Sequence, residues 1–190
     1  HGMIGGTTGS GKSELLQTIV TTLAIEHHPY LLNFLLIDYK GGATFNILRR
    51  LPHVVGIITN LNAREALRAL AAIQAENRRR QQFLADQNVE DITEYHRRLR
   101  RNSGTFPPDW QPLPHLVIII DEFAELTSSL PKFLDELVAT VRVGRSLGMH
   151  LILATQRPSG HVTAEMKANL NFRICLRVQT SDESQEIIRR

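Results

Sequence analysis

Short apolar runs alternate with amphipathic stretches along the 190 residues. The runs predict strands at His1–Ile4, Leu32–Asp38, Val54–Thr59, Leu116–Asp121, His150–Thr155 and Arg173–Val178. Within Lys12–Glu26, Leu15, Leu16, Ile19 and Leu23 recur at helical spacing, as Leu134, Leu137, Val138 and Val141 do within Phe133–Leu147. A long helix is predicted over Asn62–Asp86 and another over Ile92–Arg100, while the polar stretch Ser181–Arg190 reads as the start of one more. Asn102–Pro114 carries Gly104, Pro107, Pro108, Pro112 and Pro114 and reads as a surface loop. Strands alternating with helical segments predict an α/β fold with a mainly parallel central sheet flanked by helices.

Length allows one domain with a full core, spanning 1–190. Only four residues precede the Gly-rich segment, where a whole strand is expected, and the chain closes on the opening of a helix. The expectation is a piece of a longer multidomain polypeptide, truncated at both ends. No apolar run approaches the ~20 residues of a membrane span. One cysteine, Cys175, excludes an internal disulfide framework. It lies in a strand-like alternation and reads as a packed thiol. The eight histidines lack paired ligand spacing, so no metal site is read from them. The net charge of +3 gathers partly in Arg78–Arg80 and Arg97–Arg101. These clusters read either as a solvated helix face or as a basic surface for nucleic acid, an acidic partner or a neighbouring subunit.

Gly6-Thr7-Thr8-Gly9-Ser10-Gly11-Lys12-Ser13 matches G-x-x-x-x-G-K-[ST], with apolar residues before it and an amphipathic helix after it. Glycines let the backbone curl so that its N–H groups point at phosphate oxygens, and the helix that follows adds its positive end. Gly6 to Ser13 and the adjoining Glu14 are therefore read as the ATP-binding segment. Lys12 places its charge on the terminal phosphates, and Ser13 is read as a ligand of Mg²⁺.

Leu116–Ile120 ends in Asp121-Glu122, which puts two acids at the carboxyl end of a predicted parallel strand, where ligands bind. Asp121 fits a holder of hydrated Mg²⁺, and Glu122 a base that polarises attacking water. No Asn-Lys-x-Asp segment for guanine occurs, which favours ATP. A base directly after the metal aspartate suggests an ATPase with an additional strand between the loop strand and the acidic strand, a place His150–Thr155 can take. Gln156 then closes that strand where an amide could sense the γ-phosphate. Arg142, Arg145 and Arg173 are candidates for an arginine acting on a neighbouring subunit, with Arg173 preferred because it opens an edge strand. Asp38 and Lys40, on the same rim, are candidates for contact with the site or a subunit boundary.

Four segments carry a resemblance: Gly5–Glu14, Leu36–Phe45, Ile118–Leu126 and Gly144–Pro158. Together they resemble the FtsK/SpoIIIE motor ATPases, and within them the EccC/EssC ATPases of type VII secretion. Asp38-Tyr39-Lys40-Gly41-Gly42-Ala43-Thr44-Phe45 and Pro52-His53-Val54-Val55-Gly56 favour secretion over DNA translocation. The resemblance implies a RecA-like P-loop NTPase fold and tandem ATPase domains assembling as a hexamer. It also implies a membrane tether elsewhere in the polypeptide, at the cytoplasmic face of a bacterial membrane, and export of small WXG100-type proteins. A DNA translocase motor and a regulatory ATP-binding module with little turnover are the alternatives.

Overall fold

The computed structural model describes residues 1–39, 41, 44–59, 62–101 and 110–188. The elements run β1 (Gly2–Gly5), α1 (Lys12–Glu26), β2 (Leu32–Asp38), a 3₁₀ turn (Asn46–Leu48), β3 (Val54–Thr59), α2 (Ala63–Asp86) and α3 (Ile92–Arg101). They continue as β4 (His115–Asp121), α4 (Phe123–Ser129), α5 (Pro131–Val143), β5 (Met149–Thr155), α6 (Ala164–Asn169), β6 (Phe172–Cys175) and α7 (Ser181–Ile188). Among the described residues, six strands form one sheet in the order β3-β2-β4-β5-β1-β6. Every pairing is parallel.

The sheet is buried on both faces, which is why its strands read as near-continuous apolar runs. Along β4 the period of two sends Val117 and Ile119 to one face and Leu116, Ile118 and Ile120 to the other. The first face packs Leu16 and Val20 of α1 with Phe34, Leu36 and Phe45. The second takes Leu70 and Ile73 of α2 and Leu134, Leu137, Val138 and Val141 of α5. A third cluster, Leu84, Val89, Ile92, Tyr95, Leu113 and Leu147, fastens α3 to the end of α2.

Helix α2 starts where its sequence says it should. Asn62 accepts from the Glu65 N–H at 2.9 Å, and the Glu65 carboxylate reaches back to the Asn62 N–H at 3.4 Å. The helical stripe of α2 also buries Arg80, which donates to Glu76 at 2.7 Å and to the Leu147 carbonyl at 3.0 Å. Arg80 therefore does not belong to a basic surface. Arg79 and Arg98 pair with Glu76 and Glu94 on their own helices, and they are exposed together with Arg78 and Arg97.

Three expectations shift. The last strand ends at Cys175 instead of Val178, because the carbonyl of Arg177 turns to the N–H of Thr7. The helix predicted over Phe133–Leu147 starts at Pro131, in a position suited to proline, and stops at Val143. Leu147 joins the third cluster instead of extending the helical stripe. The short helices α4 and α6 were not anticipated. The predicted loop Asn102–Pro114 lies outside the described residues from 102 to 109, as do Lys40 and Gly42. Among the described residues, no helix is long and apolar enough to cross a membrane.

Candidate active site

The segment Gly6–Gly11 joins the carboxyl end of β1 to the first turn of α1. Two of its residues need the left-handed backbone region: Gly9 at φ +73° and Gly11, the residue that caps α1, at +88°. The loop is fastened on both sides. Gly6 N–H donates to Thr155 O on β5 at 3.2 Å, and Thr7 N–H donates to Arg177 O beyond β6 at 2.9 Å. Between these anchors, the first-turn N–H groups of α1 have no carbonyl four residues behind them and face the loop's concavity. Ser10 Oγ is buried beside Gly6 with no hydrogen-bond partner, a polar atom whose partner a bound ligand could supply.

Sheet order brings the acids to this loop. Strand β5 lies between β1 and β4, so the expected additional strand is in place. In register, Asp121 lies beside Asp38 of β2 and Ala154 of β5, and Thr155 lies beside Gly5 of β1. Lys12, Asp121 and Glu122 are all buried at this junction. The Lys12 ammonium is ion-paired with Asp121 Oδ1 and lies 3.9 Å from Glu122 Oε2. Asp121 Oδ2 accepts from the Thr44 hydroxyl at 2.9 Å, and the Thr44 oxygen is 3.4 Å from Ser13 Oγ.

Glu122 adopts φ +66°, a conformation that costs a non-glycine residue about 1–3 kcal/mol and concentrates at functional sites. Its carboxylate is held by two donors from the end of β5, Thr155 Oγ1–H and the Gln156 N–H, both at 3.1 Å on Oε1. The Gln156 side chain itself accepts from Thr8 Oγ1–H at 2.7 Å, so it bridges the end of β5 and the loop. Thr7 and Thr8 also line a cavity of about 430 Å³ together with Gln156, Arg157, Gln179 and Glu183.

The donor set fits Mg²⁺-ATP. Oxygen ligands from one carboxylate and a hydroxyl, completed by phosphates, are what Mg²⁺ uses in nucleotide sites. Among the described residues there is no group of three or more His, Cys, Asp or Glu that could hold a metal without such help. Ser13 and Asp121 could hold the ion, Lys12 the terminal phosphates, and Glu122 a water molecule. The cluster thus gathers one ammonium and two buried carboxylates beside the Gly6–Ser13 loop.

Arg173 is placed otherwise than its sequence position suggests. It does lie on the edge strand, but its guanidinium turns inward and donates to the carbonyls of Lys167 at 2.5 Å, Leu170 at 2.9 Å and Ile187 at 3.0 Å. It is committed to its own chain, not projected from it. Arg142 and Arg145 are exposed, with Glu165 at 4.0 Å from Arg142. Sequence reasoning placed Thr8 in the phosphate loop but missed Thr44 and Thr155. Thr44 had a signal, since it stands in the Asp38–Phe45 segment that carries the resemblance. Thr155 is a hydroxyl whose neighbours are set by sheet register.

Comparisons with known proteins agree with this geometry. A family model described as the FtsK/SpoIIIE family matches residues 1–160. The chain is 50% identical over its whole length to the type VII secretion system protein EssC of Staphylococcus aureus, of which it covers 12%. It is 46% identical to the ESX secretion system protein EccC of Geobacillus thermodenitrificans, of which it covers 13%. Among solved structures, the cytoplasmic domain of the type VII secretion ATPase EccC of Thermomonospora curvata superposes with a TM-score of 0.85 at 41% identity. That match covers 99% of this chain and 22% of that one.

Proposed function

The chain belongs to the FtsK/SpoIIIE family, and from that premise we propose that it is a Mg²⁺-dependent, ATP-hydrolysing motor domain of a type VII secretion apparatus. The observation that carries the reading is the convergence of Lys12, Asp121 and Glu122 at the mouth of the phosphate loop, with Glu122 aimed by Thr155 and Gln156.

In the proposed mechanism the backbone of Gly6–Ser13 cradles the phosphates, and the Lys12 ammonium exchanges Asp121 for phosphate oxygens. Mg²⁺, held by Ser13 and Asp121, would neutralise charge on the β- and γ-phosphates. Glu122 orients a water molecule and accepts its proton, and Gln156, tied to both Thr8 and the end of β5, links the state of the loop to the position of Glu122. An arginine from a neighbouring copy completes the site. Arg142 and Arg145, exposed at and just beyond the end of α5, suit that task better than Arg173.

The relatives are secretion-system proteins many times longer than this chain, which spans about an eighth of their length. Those names support a role in secretion, which we read as that of a tandem-domain, hexameric assembly that moves WXG100-type proteins. Such an assembly would be tethered through other parts of the polypeptide to the cytoplasmic face of the membrane. The names of the relatives, which are secretion-system proteins, favour protein over DNA as the cargo.

Phosphate release and binding of a fluorescent ATP analogue test the reading on wild type, Lys12→Ala and Glu122→Gln. Lys12→Ala should lose binding. Glu122→Gln should bind ATP as wild type does and lose about 10²–10⁴-fold in turnover. Undiminished turnover would remove Glu122 as the base, and turnover raised by DNA at low salt would replace secretion with translocation.

A further inference from the structure

The Asp38–Phe45 segment marks the resemblance to secretion ATPases, yet the mechanism above gives it no task. Its last polar side chain, Thr44, stands between the two residues read as metal ligands. Thr44 Oγ1 donates to Asp121 Oδ2 at 2.9 Å, so in its 3.4 Å contact with Ser13 Oγ it can only be the acceptor. Three elements hold Thr44 in place. Gln17, one turn along α1 from Ser13, donates its side-chain amide to Thr44 O at 2.8 Å. Asp38, the register neighbour of Asp121, accepts the Thr44 N–H at 3.3 Å. The hydroxyl closes the set on β4.

We propose that Thr44 is a positioning residue for the metal end of the site, an inference that rests on the Mg²⁺-ATP reading. The two oxygens of Asp121 have different partners: Oδ1 faces Lys12, and Oδ2 is held by Thr44. When phosphate draws the ammonium away, only one oxygen loses its partner. The Thr44 hydroxyl keeps the carboxylate from rotating and leaves the freed Oδ1 facing the place the ammonium held. A group that orients a ligand in this way raises metal affinity about 10–100-fold in comparable sites. It leaves metal-free nucleotide binding, which depends on the loop and Lys12, unaltered. The six-residue separation of Asp38 and Thr44 has the same origin. The first caps β2 beside Asp121, and the second must return over it from the α1 side.

Nucleotide titrations of the 190-residue chain, at graded Mg²⁺ and in EDTA, test this on Thr44→Val and Thr44→Ser. Thr44→Val should raise the Mg²⁺ needed for half-maximal tightening of nucleotide binding about tenfold, with affinity in EDTA unchanged. Thr44→Ser should restore the wild-type value. Gln17→Met, which removes only the tie to the Thr44 carbonyl, should move it the same way by less, and provides the reading if Thr44→Val does not fold. Wild-type Mg²⁺ dependence in Thr44→Val, or in Gln17→Met where that variant stands alone, would overturn the inference alone. Parallel losses with and without Mg²⁺ would also overturn it. A wild type indifferent to Mg²⁺ would overturn the site reading and this inference with it.

Discussion

Lys12 and Asp121, 109 positions apart, meet as a buried ion pair across the gap between the phosphate loop and β4. Their side chains are 3% and 7% exposed, so neither charge has water to fall back on. Each holds the other at the place where a phosphate and a metal ion would divide them. On the proposed function, nucleotide binding is an exchange of partners at a buried site, and within the pair each charge compensates the other.

That exchange has a stability signature. Removing one member of a buried pair strands the other and costs about 3–5 kcal/mol. Urea unfolding without nucleotide should show a loss of that size in Lys12→Met and in Asp121→Asn, and in the double variant a loss clearly below the sum of the two. Added Mg²⁺-ATP should raise the melting temperature of wild type and leave that of Lys12→Met in place. Additive losses would mean that the two charges are not coupled in solution.

The elements that form this site differ in how far local sequence predicts them. The loop was legible because its chemistry is local: Gly9, Gly11, Lys12 and Ser13 act within one turn of backbone. Asp121 and Glu122 were legible because strand ends on one edge of a parallel sheet share a crevice. Thr44 and Thr155 were not, because their partners follow from the strand order β2-β4-β5-β1 and a register that no local pattern encodes. Helix α4 escaped notice for a related reason. It begins on the left-handed Glu122 and runs only seven residues, too short for a period to emerge. Arg80 is different, since it stands seven residues after Ile73 and four before Leu84, on the apolar stripe of α2. The helical period alone pointed to its burial.

Arg173 separates a structural arginine from one that acts on a neighbour. Its guanidinium joins carbonyls of Lys167 and Leu170, around the end of α6, to that of Ile187 near the end of α7. These are places where a cation satisfies both unpaired acceptors and the helix dipole. Arg173→Ala should lower unfolding stability by about 2–3 kcal/mol and leave turnover per folded molecule unchanged. An arginine working in trans behaves in the opposite way, with stability intact and turnover down about 10³–10⁵-fold. Arg142→Ala and Arg145→Ala, assayed beside it in the assembled protein, should include the variant with that second profile.

At the far end of the sheet from the site, His115 opens β4 with Nδ1 3.1 Å from Nε2 of His150 and its ring against His96. Burial, followed by the charges of His150, His96, Arg80 and His27, pushes its pKa down from 6.5 to about 4. Between those values the unfolded chain takes up a proton that the folded chain refuses. The contribution of His115 to stability is thus complete above pH 6.5 and is lost as the pH falls toward 4. With the partial exposure of the ring allowed for, it amounts to about 2 kcal/mol. His115→Gln has no such proton to take up, so its unfolding free energy should fall less than that of wild type between pH 6.5 and 4. Carboxylates that titrate in the same window act on both proteins and cancel in the difference. Parallel curves would mean that His115 is protonated as readily in the folded chain as in the unfolded one.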